Sequence, residues 1–206
     1  MLNIIEHPLI KHKITKIRNK ETGHKEFKEI ISEIATILCY EATKTDEVEE
    51  IKVETPIEMA TGHTLATRYA VVPILRAGLG MAEGLLRLLP MADVGHIGLY
   101  RDPKSLTPVE YYTKLPRDIF KSEVYVVDPM LATGGSACAA ISILKANGAN
   151  KIKFLCVVSC PEGVSFLEKN HPDVKIYTAV HDNKLNEKGY IVPGLGDAGD
   201  RIFGTQ

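Results

Sequence analysis

Tryptophan is absent from this 206-residue sequence, and aromatic residues make up only 6% of it. A protein that binds single-stranded nucleic acid uses stacked aromatic side chains, and this composition offers few of them. An excess of positive charge is also missing, because 25 Lys and Arg residues face 26 Asp and Glu residues. The net charge of −1 gives no global electrostatic attraction to nucleic acid or to an anionic membrane, so we expect neither partner.

Long hydrophobic runs are missing as well. No stretch approaches the ~20 apolar residues that a membrane-spanning helix needs. The first residues, MLNIIEHPLIKHK, carry charges where a signal peptide has its apolar stretch, which predicts a cytoplasmic protein. The four cysteines, Cys39, Cys138, Cys156 and Cys160, form no CxxC pair, which predicts reduced, buried thiols. The histidines lack the HxH and HExxH spacings of a metal site.

What the sequence does contain is a repeated pattern of strand, turn and helix. Four apolar runs predict strands buried on both faces, at residues 67–75, 123–128, 151–159 and 174–180. A turn and a helix follow each of the first three, and residues 24–43 predict a further amphipathic helix. We therefore predict an α/β fold, a mostly parallel sheet flanked by helices, in a single domain of residues 1–206. Ligands of such sheets bind at the carboxyl ends of the strands.

Three further segments are less regular. Residues 48–55 alternate between apolar and polar, which predicts a half-exposed strand. Residues 101–116 are polar and interrupted by prolines, which predicts a flexible loop or an extended hairpin arm. Residues 189–205 are rich in Gly and Asp, which predicts a structured loop rather than part of the core.

The segment VVDPMLATGGS, Val126 to Ser136, has the pattern of a phosphate-binding loop. A buried strand ends at Asp128, and small and hydroxyl-bearing residues then open a helix. The backbone N–H groups of residues 133–136 and the positive end of the helix dipole suit a phosphate. Asp128 can accept hydrogen bonds from sugar hydroxyls. The alternative is a tight strand-to-helix turn with Ser136 as the N-cap.

A second candidate loop lies in VPILRAGLGM, residues 72–81. Arg76 stands shortly before Gly78 and Gly80, and its planar guanidinium can bind phosphate oxygens through two hydrogen bonds. The glycine spacing is GxGxxxG rather than the GxGxxG of dinucleotide-binding folds, which weakens the interpretation as a nicotinamide-dependent oxidoreductase. The alternative for Arg76 is a surface charge beside a core turn.

These two strings and GYIVPGLGDAGDRIFGT, residues 189–205, resemble the type I phosphoribosyltransferase family. HPLIKHK and LYRDPKSLTPVEYYTKLP (99–116) also match, so the resemblance covers essentially the whole chain. The usual phosphoribosyl loop has two adjacent acids, whereas here Pro129 follows Asp128, a form that resembles the uracil-using members. The resemblance implies the family's fold with a small hood built from the chain ends. It also implies a non-proline cis peptide at Leu75–Arg76.

For this chain the resemblance implies transfer of phosphoribose from 5-phospho-α-D-ribose 1-diphosphate (PRPP) to uracil, giving UMP and diphosphate in pyrimidine salvage. It implies Asp128, Arg76 and Asp197 as catalytic residues, and Mg²⁺ held mainly through PRPP rather than by a protein metal site. The residues implied to bind PRPP are Arg76, Arg101, Asp128, Pro129, Met130, Leu131, Ala132, Thr133, Gly134, Gly135, Ser136 and Asp197. Those implied to bind uracil are Ile191, Gly196, Asp197 and Ala198.

Uracil presents a hydrogen-bond acceptor, a hydrogen-bond donor and a second hydrogen-bond acceptor along one edge. Backbone N–H and C=O groups can match that edge without a special side chain, and glycines at 194, 196 and 199 let the main chain approach a flat ring. Such a site would reject cytosine, because mismatched buried polar groups cost about 1–3 kcal/mol each.

The resemblance also implies a homodimer or a larger homo-oligomer, and a GTP effector. Some phosphoribosyltransferase folds serve instead as RNA-binding regulators of pyrimidine genes, and the fold alone does not separate the two roles. A regulator of that kind needs a basic surface, so the balanced charge favours the enzyme.

Overall fold

The computed structural model describes residues 1–101 and 108–205, and for Arg101 it describes the backbone only. Within these ranges the chain forms thirteen strands and six α-helices. The helices are α1 (Pro8–Arg18), α2 (His24–Thr43), α3 (Leu79–Leu88), α4 (Gly135–Ala146), α5 (Pro161–Asn170) and α6 (Ala198–Phe203). The strands are β1 (Leu2–Ile4), β2 (Val48–Glu54), β3 (Met59–Leu65), β4 (Arg68–Leu75), β5 (Asp93–Val94), β6 (His96–Arg101), β7 (Pro108–Lys114), β8 (Ser122–Val127), β9 (Met130–Leu131), β10 (Lys151–Ser159), β11 (Lys175–His181), β12 (Lys184–Leu185) and β13 (Ile191–Val192).

A mostly parallel sheet forms the centre of the molecule, as predicted. Its main strands follow the order β1-β11-β10-β8-β4-β6-β7, with β5 paired to β4 and β9 to β10. Only β7 runs antiparallel to its neighbour, β6. The four apolar runs became β4, β8, β10 and β11, which lie side by side in the middle of the sheet, where both faces are covered.

Helices cover the sheet on both faces because successive residues of each strand point to opposite sides. On one face α1, α2, α3 and α6 pack against Tyr69, Val71 and other alternate sheet residues. On the other face α4 and α5 pack against Ala70, Val72 and their counterparts. The predicted helix 24–43 is confirmed as α2, whose buried apolar residues recur at helical spacing.

The end of α1 contacts the C-terminal segment of the chain. Arg18, at the end of α1, pairs with Asp182, and the Arg201 guanidinium donates to the Ile17 carbonyl. The prediction that residues 189–205 stay outside the core was wrong in part. Ile191, Leu195, Ala198 and Ile202 are buried, and residues 198–203 form α6. The last three recur at three- and four-residue spacing, a helical pattern that the glycines obscured.

Two hairpins leave the body of the sheet. The predicted strand at 48–55 is β2, but all seven of its residues are exposed, because it pairs only with β3 in a separate two-stranded sheet. In the segment 101–116, β7 pairs with β6, which agrees with the hairpin alternative. Residues 102–107 of that predicted loop lie outside the described residues.

The helices and the cysteines of the chain agree with two further features of the sequence. Across residues 1–101 and 108–205, no helix has the length and apolar character needed to span a membrane. All four cysteines are free and buried, as predicted.

Candidate active site

Three segments that are far apart in the sequence meet at the carboxyl edge of the sheet. A Cβ atom added to Gly78 would lie 2.4 Å from the Val127 carbonyl oxygen, so the loop after β4 touches the end of β8. A Cβ atom added to Gly199 would lie 3.9 Å from the Cβ of Ala77, so the start of α6 lies against the same loop. The sheet therefore places the loop after β4, the loop after β8 and the C-terminal segment around one space.

The loop from Asp128 to Ser136 connects β8 to α4. Gly134 adopts a φ of 81°, in the left-handed region that favours glycine, and it is the N-cap of α4. Ser136 is exposed and lies inside the first turn, so the alternative of Ser136 as the N-cap is wrong. The loop encloses a cavity of about 70 Å³. Its lining residues are Asp128, Met130, Leu131, Ala132, Thr133, Gly134, Ser136 and Ala137.

The back of this loop rests on the start of α5, a support that the sequence analysis missed. The Cys160 thiol donates to the Ala132 carbonyl over 3.2 Å. Gly163 packs so closely that a Cβ there would lie 2.4 Å from the same carbonyl oxygen. The loop is also tied to the sheet, where β9 pairs with β10. The backbone of the loop is thus fixed from behind by the start of α5 and by β10.

Asp128 has an unusual electrostatic environment. Burial raises its pKa to about 7, a hydrogen bond from the Met130 backbone N–H lowers it, and the nearby Asp197 carboxylate raises it. A carboxyl group with this pKa is partly protonated at neutral pH. Perturbed carboxyls of this kind concentrate at functional sites.

Arg76 lies in the loop after β4. The predicted non-proline cis peptide between Leu75 and Arg76 is present. The guanidinium lies 3.4 Å from the Asp200 carboxylate and 5.7 Å from the centre of the Phe203 ring. Slightly more than half of the Arg76 side chain is exposed, so the guanidinium is accessible to a ligand.

The residues implied for the base lie in the C-terminal segment. Gly196 is exposed with a φ of 81°, whereas the side chains of Ile191 and Ala198 are buried in the core. Ile191 and Ala198 can therefore meet a ligand chiefly through their backbone. The Asp197 carboxylate caps α6 by accepting a hydrogen bond from the Asp200 backbone N–H over 3.0 Å. Arg101 ends β6, and its side chain lies outside the described part of the chain.

A solved structure defines the class to which this fold belongs. The adenine phosphoribosyltransferase from Trypanosoma brucei, solved with AMP, pyrophosphate and ribose-5-phosphate, superimposes with a TM-score of 0.58 at 14% identity. The superposition covers 95% of this chain and 88% of that one. The fold is therefore that of the type I phosphoribosyltransferases.

The sequence comparisons identify the family within that class. A family model described as uracil phosphoribosyltransferase matches residues 4–205. The uracil phosphoribosyltransferase of Dictyoglomus turgidum is 61% identical over the full length of both chains, and that of Bacillus licheniformis is 58% identical over 98% of each. The AQ2163 protein from Aquifex aeolicus superimposes with a TM-score of 0.95 at 37% identity, over 100% of this chain and 99% of that one. The chain belongs to the uracil phosphoribosyltransferase family.

Proposed function

We propose that the site at the carboxyl edge is where this pentosyltransferase carries out the reaction of its family. Uracil and PRPP react there to give UMP and diphosphate. The observation that carries the proposal is the convergence of residues 76–80, 128–136 and 197–203 around one space. It supplies a phosphate-type loop, a guanidinium and a glycine-rich segment within a single domain of residues 1–206.

The loop after β8 is proposed to bind the phosphoribosyl part of PRPP. Backbone N–H groups at the start of α4 would receive the 5-phosphate, because they point at the ligand and the helix dipole favours negative charge there. Asp128 would accept hydrogen bonds from the ribose hydroxyls. Arg76 and Arg101 would bind the diphosphate, and Arg76 would exchange its contact with Asp200 for phosphate oxygens.

The proposed chemistry needs positioning and charge stabilisation rather than a covalent intermediate on the protein. Departure of diphosphate leaves positive character at the anomeric carbon, and guanidinium groups stabilise the departing charge. The backbone of Ile191, Gly196 and Ala198 would bind the edge of uracil. Asp197, the N-cap of α6, lies near enough to Asp128 to raise the pKa of that carboxyl, and it is the candidate for polarising the base.

Mg²⁺ is the cofactor that the family resemblance implies. It prefers oxygen ligands and commonly binds through one or two carboxylates plus substrate phosphates. Here it is proposed to be held mainly through the phosphates of PRPP, next to the Asp128 and Asp197 carboxylates. When bound to the diphosphate, Mg²⁺ would neutralise part of the charge of the leaving group.

A direct assay tests this proposal. The protein is mixed with Mg²⁺, PRPP and each free base in turn, and nucleotide formation is measured by chromatography. We expect UMP from uracil and no product from cytosine. Arg76→Ala should raise the KM for PRPP, while Arg87→Ala, an exposed arginine on α3, should not. If no nucleotide forms and the protein binds RNA with an affinity that falls as salt rises, the protein is instead an RNA-binding regulator.

Assembly as a homo-oligomer is also proposed. The hairpin β2–β3 has several exposed apolar residues, and an isolated two-stranded hairpin is marginally stable in water. These residues are Val48, Ile51, Val53, Ile57, Met59 and Leu65. Sedimentation should therefore show a dimer or a larger assembly that Ile51→Lys weakens.

Activation by GTP and a cytoplasmic location stay predictions, which assays with GTP and cell fractionation would check.

A further inference from the structure

The segment proposed to bind uracil has little regular structure of its own. Residues 193–197, here called the base loop, follow the short strand β13 and precede α6. Gly194 and Gly196 have positive φ values of 59° and 81°. A cavity of about 330 Å³ lies between the loop and the end of α1, and it is lined by Arg18, Lys20, Arg201 and the base loop. Leu195 packs into the core, but no strand among the described residues includes the loop, so its exposed part depends on polar contacts for its position.

Arg201 spans one side of this gap. Its Nη1 donates to the carbonyl oxygen of Leu195 over 2.8 Å and to that of Ile17, and its Nη2 donates to that of Asn19 over 2.7 Å. The guanidinium also lies 4.2 Å from the centre of the Phe27 ring. A single side chain therefore connects the base loop to the end of α1 and to α2.

A buried ion pair makes a second connection. Asp182 is 5% exposed and accepts a hydrogen bond from the Gly194 backbone N–H over 2.9 Å through Oδ2. Its Oδ1 lies 2.6 Å from Arg18 Nη2. Gly194 is thus connected to α1 through the Asp182 carboxylate.

We propose that Arg201 and the Arg18–Asp182 pair are positioning residues that hold the base loop in the geometry needed for uracil. The inference rests on the proposed function, because it takes residues 196–198 as uracil contacts. Recognition by backbone groups requires the loop to keep its position within about 0.5 Å, and these connections are the polar contacts that tie residues 194 and 195 to α1. None of these three side chains is itself proposed to touch the substrates.

Steady-state kinetics with both substrates tests the proposal. Arg201→Ala should raise the KM for uracil about tenfold or more and the KM for PRPP by about threefold at most. The lost contacts hold residues 194 and 195, whereas Asp197, which is implied to bind both substrates, is also held as the N-cap of α6. Asp182→Ala should have the same pattern. Amide hydrogen exchange in the base loop should rise in both variants, because its anchors are lost.

Conservative variants and a control separate positioning from general stability. Arg201→Lys keeps the charge but cannot reach three carbonyls, and Asp182→Asn keeps an acceptor for Gly194, so both should give intermediate KM values for uracil. Glu33→Gln is the matched control. It weakens the contact between Lys13 on α1 and Glu33 on α2 without touching the base loop, and it should leave the KM for uracil unchanged.

Two results would overturn the proposal. One is a parallel rise in KM for uracil and PRPP, and the other is an unchanged KM for uracil in folded Arg201→Lys and Asp182→Asn proteins. If the unmodified protein made no UMP, the proposed function would fail instead. Hydrogen exchange of the base loop would still report on the anchors in that case, so the two failures are distinguishable.

Discussion

At the scale of single residues, the burial of the Asp128 carboxyl group makes the stability of the protein depend on pH. Its pKa is raised from the usual value of 3.8 to about 7, so the folded chain holds a proton there that the unfolded chain releases. The stabilising contribution is therefore complete below about pH 4 and is lost as the pH rises through 7. At neutral pH the charged carboxylate costs stability, and ribose hydroxyls would lower that cost.

Asp128→Asn should consequently stabilise the protein while it abolishes turnover. We expect a gain of about 2–4 kcal/mol at pH 8 that shrinks toward zero at pH 4, because one pKa unit corresponds to about 1.4 kcal/mol. Denaturant unfolding at the two pH values, alongside the UMP assay, measures both effects. A pH-independent loss of stability would show that Asp128 is a turn residue rather than a ligand-binding carboxyl.

Cys160 supports the phosphate-type loop from behind. Cys160→Ala removes the donor to the Ala132 carbonyl, so we expect the KM for PRPP to rise severalfold with a loss of stability of about 1 kcal/mol. Cys39→Ala is the control, since that thiol is equally buried but lies on α2. Equal changes in both variants, measured by kinetics and thermal unfolding, would contradict this prediction.

The sequence predicted residues whose role depends on a local pattern. Asp128 and Arg76 were predicted as site residues because each follows an apolar run and is followed by small residues. Cys160 and Arg201 were missed because their partners are distant, 28 residues away for Ala132 and 184 for Ile17. No local signal distinguishes such a side chain from any other buried thiol or surface arginine.

At the scale of elements, α3, α6 and α2 meet at Gly80. A Cβ atom there would lie 3.1 Å from Ile202 Cδ1 on α6 and 3.4 Å from Ile31 Cγ2 on α2. The helix after the Arg76 loop is thereby in direct contact with the helix that Asp197 caps. Small changes at this contact should be felt in the base loop.

Gly80→Ala tests that connection. The added methyl group should displace Ile202 and α6, so the KM for uracil should rise, while the better helix propensity of Ala offsets about 1 kcal/mol of the lost packing. Combining it with Ile202→Val removes the crowded methyl group and should restore the KM. A single variant with normal kinetics, or a double variant without recovery, would count against the contact.

Element prediction succeeded for the sheet and failed for small or isolated pieces. The buried strands β4, β8, β10 and β11 are short, continuous apolar runs, and such runs are typical of buried strands. The six-residue α6 was missed because it is short and directly follows a stretch that contains Gly194 and Gly196. The pairing of β2 with β3 alone could not be foreseen, since alternation predicts a strand but not its neighbour.

At the scale of the whole molecule, the sheet separates the site from a buried charge network at its other edge. Lys153 Nζ lies 2.9 Å from Asp46 and 2.6 Å from Glu123, and it donates to the Ala42 carbonyl. Burial opposes its charge, but the two carboxylates outweigh that effect and hold the pKa of Lys153 above its usual value. Ser159 at the carboxyl end lies six positions further along β10, a distance of about 20 Å.

Lys153→Met should therefore affect stability without affecting catalysis. Two buried carboxylates would lose their partner, which typically costs about 3–5 kcal/mol. The KM values for uracil and PRPP should stay unchanged at a temperature where the variant is folded. Lys151→Met, an exposed residue of the same strand, is the control. Altered KM values in Lys153→Met would indicate that the two edges are coupled.

The placement of the chain ends has a practical consequence for handling the protein. Thr205 donates to the Asp200 carboxylate over 2.6 Å, and Asp200 in turn contacts Arg76. Met1 lies at the opposite edge, where β1 begins beside β11. A purification tag or surface tether joined ahead of Met1 should leave turnover unchanged. The same tag joined after residue 206 should lie close to Arg76 and weaken the proposed binding of PRPP.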